Sequence, residues 1–417
     1  MKNRWRGGVC RGGGDLARGI ALSLPALLWA TRLVAQEPAG PPADTTSRDS
    51  SRVVSDTTRS AEEPEPSAPW RTSYFPYLTG GANDGPVLAF RVHHFQPAEY
   101  DARVTTRAAF TGEAGITPRG GRQVILRFRA PQLWDNWRVK ALAAAVREVR
   151  FGYFGLGNET TDEAPTPTQP FLHRVRRTRY GGQLEVTRRI RGPLQVALQG
   201  TVEWTRFTTL PESSRFDLDF GSELRETDVS GRLAVVYDTR DNEYNTQKGL
   251  LLEAGSQIGS GGDGYTRLYT VLRGYVSPRE GTVVAARFAA SGMGGHPTLN
   301  ARFLIPSWED QIPVLGGQYS HRSFDTGRFA GRHVLLGNLE VRHNLLSLGD
   351  LGAITLLGFL DAGRVFEQEQ FKFATGGVKV GGGGGVGVRI LRSTIFTFNF
   401  AGGPDGFNFS VGSGWMF

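Results

Sequence analysis

Apolar and polar side chains alternate along most of this chain, the period of a strand whose two faces meet different surroundings. Leu194, Val196, Leu198, Val202 and Trp204 share one parity; Gln195, Gln199, Thr201 and Glu203 share the other. Val229, Leu233, Val235 and Tyr237 likewise oppose Ser230, Arg232, Asp238 and Arg240. The end of the chain repeats the pattern, with Phe407, Phe409, Val411, Trp415 and Phe417 against Asn408, Ser410, Gly412 and Gly414. Such segments, separated by turn residues, place strands near 72–79, 86–97, 102–114, 121–132, 137–151, 173–190, 193–210, 227–241, 249–260 and 265–277. More follow near 281–293, 333–347, 352–366, 378–392, 394–401 and 406–417, about sixteen in all. Each is about as long as, or longer than, the roughly 9–11 residues a tilted strand needs to cross a bilayer.

Aromatic residues near segment ends (Tyr74, Phe75, Trp134, Trp137, Tyr153, Tyr237, Trp415) suit the girdles of a barrel in lipid. The pattern predicts an all-β fold: a transmembrane antiparallel β-barrel of about sixteen strands. For the tail taken alone, the edge strand of a soluble sandwich is the alternative.

Composition sharpens this picture. No segment beyond the first 35 residues has the apolar run of a transmembrane helix, yet mean hydropathy is only −0.29 and there are 56 glycines. A barrel has this profile because each strand turns half its side chains toward the lumen. Lys2, Arg4, Arg6, Arg11 and Arg18 precede an apolar run from Ile20 to Ala30, the layout of an export signal over 1–35, with an uncleaved anchor as the alternative. Residues 36–69 hold seven carboxylates, three arginines and almost no large apolar side chain, so they read as a disordered acidic linker. The barrel then spans 70–417.

The net charge of +8 falls to +3 once residues 1–35 are set aside, and no basic stripe with interleaved aromatics remains to suit nucleic acid. Cys10 is the one cysteine and lies within the signal. His93 and His94 point to opposite faces of a strand, Ser320 and His321 are chain neighbours rather than a relay, and Gly381 to Gly385 lack the lysine of a phosphate loop. The expectation is a non-enzymatic protein with no cofactor and no metal site.

The strand rhythm breaks between about 296 and 331, after the eleventh strand, in a segment carrying Pro297, Pro306, Pro313, Gly316 and Gly317. Its interior mixes aromatics with charges, which suits a loop folded into the lumen. Arg322 lies in this loop. Glu340 and Asp361 lie on the luminal parity of the next two strands, where one guanidinium can reach both. Three unrelated luminal charges are the alternative.

The loop around Gly316-Gly317 and His321-Arg322-Ser323-Phe324, the segment Gly337 to Arg342, and Phe359-Leu-Asp-Ala-Gly-Arg-Val365 together resemble the bacterial surface-antigen barrels of the BamA/TamA type. Phe154-Gly-Leu-Gly-Asn158 and Tyr237-Asp-Thr-Arg-Asp-Asn242 with Lys248-Gly249 fit the same family, and the likeness covers roughly 70–417. The resemblance implies a sixteen-stranded barrel whose loop between strands 11 and 12 is locked in the lumen through Arg322 and Phe324 against Glu340 and Asp361. Two departures stand out. Ser323 occupies the position of a motif glycine, and residues 36–69 are too short for the polypeptide-transport-associated (POTRA) domains that receive clients in this family.

The resemblance further implies a bacterial outer-membrane protein acting as an insertase or translocase through a weak seam between its first and last strands. Tyr74 and Pro76 would lie on one side of that seam, and Phe409, Trp415 and Phe417 on the other. Pro76 lacks a ladder donor, which suits a loose seam and equally a strand start. Its partners would be outer-membrane lipids, unfolded outer-membrane clients and a separate periplasmic accessory protein in place of the missing domains. A passive pore or structural barrel without clients is the alternative.

Overall fold

Residues 68–79, 82–100, 102–368, 376–391 and 394–417 are described by a computed structural model. The expected export signal, and all of the expected linker except Ala68 and Pro69, lie outside the described residues.

Sixteen strands form one antiparallel sheet. They are β1 (Arg71–Thr79), β2 (Val87–Pro97), β3 (Thr106–Ile116), β4 (Arg122–Trp134), β5 (Trp137–Gly152), β6 (Arg174–Arg191), β7 (Leu194–Thr209) and β8 (Glu223–Asp238). Then come β9 (Gly249–Gly259), β10 (Tyr265–Arg279), β11 (Thr282–Gly295), β14 (His333–Ser347), β15 (Gly352–Phe366), β16 (Lys379–Ile390), β17 (Thr394–Gly403) and β18 (Gly406–Ser413). Every strand pairs with its neighbours in chain order, so β1 and β18 stand at the two ends of the sheet. Two-residue strands β12 (Leu304–Ile305) and β13 (Ile312–Pro313) pair with each other inside the long loop between β11 and β14.

Burial is inverted relative to a soluble sheet. Leu198 is 62% exposed and Leu268 is 70% exposed, whereas Gln199, Arg232, Arg267 and Asp361 on the opposite parity are buried. Such a surface is stable only against lipid, with the polar face turned to an enclosed lumen. One end of the sheet carries tight turns, including 135–136, 192–193 and 280–281, with positive φ at Asn136, Gly192 and Gly281. That conformation matches a hairpin turn to the twist of its strands. The other end carries the longer connections 153–173, 210–222 and 296–332. In outer-membrane barrels the short turns are periplasmic and the long loops extracellular.

The core sits in the lumen and is supplied largely by the long loop. Ile305, Trp308, Ile312, Leu315, Phe324 and Phe329 of the loop pack with the wall residues Val236, Leu251, Val271, Leu336 and Val365. A second cluster at the long-loop end gathers Phe151, Tyr153, Val175, Phe207, Phe216 and Phe303.

Several expectations are corrected. The strand placed at 102–114 runs over Thr106–Ile116, and the one placed at 227–241 begins earlier, at Glu223. A short helix, α1 (Arg215–Phe220), capped by Ser214, lies between the strands expected at 193–210 and 227–241; it buries Phe216 against Tyr153 and Phe207. Tyr153 is therefore fully buried, donating to Asp219 at 2.7 Å, and is not a girdle residue. Phe75 stacks on Tyr77, whose hydroxyl accepts from Arg91 among luminal charges, so it too leaves the girdle. Most notably, the last strand stops at Ser413. Gly414, at φ 84°, turns the remaining residues inward, and Phe417 is buried against Tyr275, Val283 and Ala285. The aromatic parity of the tail thus continues on paper but not in space. Arg342, beneath Trp415 and Phe417, gives those rings a cation to cover.

Candidate functional site

The register of β14 and β15 sets the site. Asn338 lies opposite Asp361 and Glu340 opposite Phe359, which brings both carboxylates onto one luminal patch. Their strand neighbours Leu339, Val341 and Leu360 face outward and are exposed. Two-residue alternation alone fixes that separation of charge from lipid.

Arg322 enters this patch from the loop. Its Nε and Nη2 donate to the two Asp361 oxygens at 2.9 and 2.8 Å, its backbone N–H donates to Asp361 at 2.9 Å, and Nη1 donates to Glu340. The guanidinium also lies 3.5 Å over the Phe359 ring. Arg322, Glu340 and Asp361 are all buried. Phe324 packs edge-on against Phe329 at 5.1 Å and contacts the His321 ring at 4.5 Å. The four residues singled out in the sequence as a loop lock are therefore within one contact network.

Further residues complete it. Asn338 donates to Asp361 at 2.8 Å and to the Ser320 carbonyl at 2.7 Å, while accepting from Arg287 Nε at 2.9 Å. Asn408 of β18 donates to the carbonyls of Arg322 and Phe324. Arg342 donates to Glu340 at 2.6 and 2.8 Å and to the Phe417 carbonyl at 2.9 Å. A chain of charge thus runs from the loop tip through Glu340 and Arg342 to the inturned tail. The legible signal for Arg342 was its place two residues after Glu340, on the same face. That for Asn408 was its place on the polar parity of the last strand.

The glycine run of β16 has a steric purpose. A Cβ at Gly381 would lie 2.0 Å from Ser323 Oγ, one at Gly403 would lie 2.7 Å from Ser323 Cβ, and one at Gly383 would lie 2.8 Å from the Phe359 ring. Bare backbone in β16 and β17 is what lets the loop tip lie against the wall. Ser323 donates to the Gly402 carbonyl at 2.9 Å, and it is not among the described residues with positive φ. The turn that a motif glycine would ease is made here without one. Gly316 (φ 131°) and Gly317 (φ 90°) supply the left-handed positions instead.

A second anchor lies earlier in the loop, in the hairpin of β12 and β13. Trp308 is fully buried; its indole N–H donates to Thr187 at 3.0 Å and its backbone N–H to Glu253 at 2.6 Å. Lys140 sits 4.5 Å over its ring. Beside it Glu309 accepts from Arg240 at 2.8 Å and also pairs with Arg273. Burial pushes its carboxyl up, but these two guanidiniums hold it well below the ordinary carboxylate range. The remaining family-like motifs serve the same ends. Gly157 donates to the Ala330 carbonyl, and Asn158 donates to Gly377, which closes the loop over from above. Asp241 and Asn242 cap a turn that presents Asn245 to the Trp415 indole N–H at 2.9 Å.

The residues assigned to the seam divide. Tyr74 and Pro76 on β1 and Phe409 on β18 face outward and are exposed. Trp415 and Phe417 lie beyond β18, on the luminal side.

Known proteins agree with this geometry. Residues 123–415 match the Omp85 superfamily domain. No curated protein matches the chain in sequence. Among solved structures, BamA from Haemophilus ducreyi in a form lacking POTRA domains 1–3 aligns with a TM-score of 0.54 at 11% identity, covering 83% of this chain and 70% of that one. CdiB from Escherichia coli aligns with a TM-score of 0.53 at 13% identity, covering 83% of this chain and 62% of that one. At these identities the two share the fold with this chain. With the domain match running over most of the barrel, the chain belongs to the Omp85 superfamily.

Proposed function

We propose that this protein is a non-enzymatic outer-membrane insertase or translocase for polypeptides, acting through a seam between β1 and β18. The observation that carries the reading is the end of the last strand. β18 has eight residues, and past Gly414, whose N–H still donates to Ile395 of β17, the chain leaves the sheet for the lumen instead of extending the ladder. A short strand at each end of the sheet leaves backbone donors and acceptors for an incoming strand to pair with, which is β-augmentation. The lock at Arg322 then keeps the lumen filled while the seam works, and Asn408 ties the loop tip to β18 itself. A separate periplasmic partner would deliver clients to the short-turn end.

The test uses proteoliposomes and an unfolded small outer-membrane barrel as client. The protein is expected to speed client folding over empty liposomes. Disulfides between cysteines placed at residues 73–77 and 407–411 should abolish that gain, and reductant should restore it. Equal acceleration by the crosslinked protein would sink the seam. A passive pore is the second reading, favoured by a polar luminal cavity of about 190 Å³ between the β5–β10 wall and the loop. It predicts no acceleration in either state, and ion conductance that rises when the loop is deleted.

A further inference from the structure

Five arginines form one outward-facing row across five consecutive strands. Arg122 of β4 lies opposite Arg147 of β5, Arg147 opposite Thr178 of β6, Thr178 opposite Arg206 of β7, and Arg206 opposite Arg225 of β8. Arg176, two residues along β6 on the same face as Thr178, is that strand's contribution. Their chain neighbours establish the direction. Gln123 donates to luminal Glu113, Glu148 pairs with buried Arg177, Phe207 is buried, and Glu226 accepts from the loop at Leu299. Alternate residues must then face the lipid side.

The row stands at the headgroup level. One pleat closer to the membrane centre, on the same face, Tyr180 pairs with Trp204; they are 55% and 52% exposed, as a girdle requires. The row lies on the far side of that pair, toward the long loops. Like charges directly opposite one another repel, and two such pairs occur here, Arg122 with Arg147 and Arg206 with Arg225. Glu223 serves Arg206, at 2.7 Å, and Arg225. At the other end of the row the Nε–H groups of Arg147 and Arg176 are buried without a hydrogen-bond partner. A row of five guanidiniums beside an aromatic girdle, with one carboxylate, Glu223, shared by two of them, calls for an anion held at the membrane surface, and the guanidinium fork matches phosphate oxygens two at a time.

We propose that Arg122, Arg147, Arg176, Arg206 and Arg225 bind the phosphorylated headgroup of a lipid in the leaflet around the long-loop end of the barrel. The headgroup phosphates sit across Arg147, Arg176 and Arg206, and the acyl chains run down over Tyr180, Trp204 and the apolar strand faces below. The contact is independent of whether the seam opens.

The experiment places the full-length protein in phosphatidylcholine nanodiscs doped with bis-phosphorylated lipid A or its fully dephosphorylated form, and measures retained lipid by native mass spectrometry. Wild type is expected to prefer the phosphorylated form by about tenfold or more, the size of one or two charge-assisted hydrogen bonds. The triple variant R147Q/R176Q/R206Q should lose that preference while keeping the heat-modifiable mobility of a folded barrel. R188Q removes an equally outward arginine, stacked on Trp137 at the short-turn end of β6, and should change nothing. If the triple variant does not fold, R176Q alone should lower the preference several-fold. The proposal is overturned by equal retention of both lipids, by an unchanged preference in the folded arginine variants, or by a like loss in R188Q. It is also overturned if inorganic pyrophosphate displaces the lipid at matching concentration, since the site would then serve a soluble anion.

Discussion

Arg322 meets Asp361 through Nε, Nη2 and its backbone N–H, and meets Glu340 through Nη1, so its side chain uses donors on three nitrogens in one plane. Lysine has the charge without the fork, and at this depth an ill-fitted cation leaves carboxylates unpaired. Removing one member of a buried ion group costs about 3–5 kcal/mol. Both Arg322→Ala and Arg322→Lys are therefore expected to release the loop tip, seen as new protease cleavage within residues 300–330. Adding Glu340→Gln and Asp361→Asn to Arg322→Ala should add little, because the three act as one unit. Additive losses would mean that the contacts are energetically separate. Glu340 and Asp361 were legible from parity alone, since alternation puts both on the luminal face; Arg322 stands where no alternation runs and was legible from its place in the long loop and from the resemblance of the motif around it. Arg342 was legible as a luminal charge but not as a partner of the tail, because that contact depends on where Phe417 goes.

At the scale of elements the long loop is a two-lobed body with separate anchors. The hairpin of β12 and β13 drives Trp308 and Glu309 into the wall formed by β5, β6, β9 and β10, while the tip holds to β14 and β15. Trp308→Ala removes a fully buried indole, a change that costs about 3–5 kcal/mol. It is expected to expose residues 304–313 to protease while 318–326 stay protected. Arg322→Ala should give the converse pattern. A single cleavage pattern for both variants would show that the lobes dock together. The position of this loop after the eleventh strand was readable from the break in alternation. Its anchors at Trp308 and Glu309 were not, because nothing periodic marks a loop residue that packs across the lumen onto strands remote in the chain.

Across the whole molecule two segments occupy the lumen from opposite ends. The loop descends from the long-connection end, and residues 414–417 close toward the short-turn end, where Trp415 reaches Asn245. They meet through Glu340 and Arg342. A path through the barrel then has two closures in series. Conductance in planar bilayers is expected to rise little for Arg322→Ala or for deletion of 414–417 alone, and to rise well beyond their sum when both are combined. Full opening by tail deletion alone would leave the loop with no part in closure.

The strand count, strand order, lumen-facing parity and position of the long loop follow from sequence by itself. Alternation is a local property: each strand must separate lipid from lumen wherever it lies in the sheet. The inward turn at Gly414, the burial of Tyr153, the helix at Arg215–Phe220 and the row of outward arginines were decided only by tertiary structure. Each depends on a neighbour remote in the chain. The tail finds Arg342, Tyr153 finds Phe216, and Arg122 finds Arg147 only once the register of β4 with β5 is set. Periodicity states which face a residue takes; the register between strands and the path of loop and tail state what that face will meet.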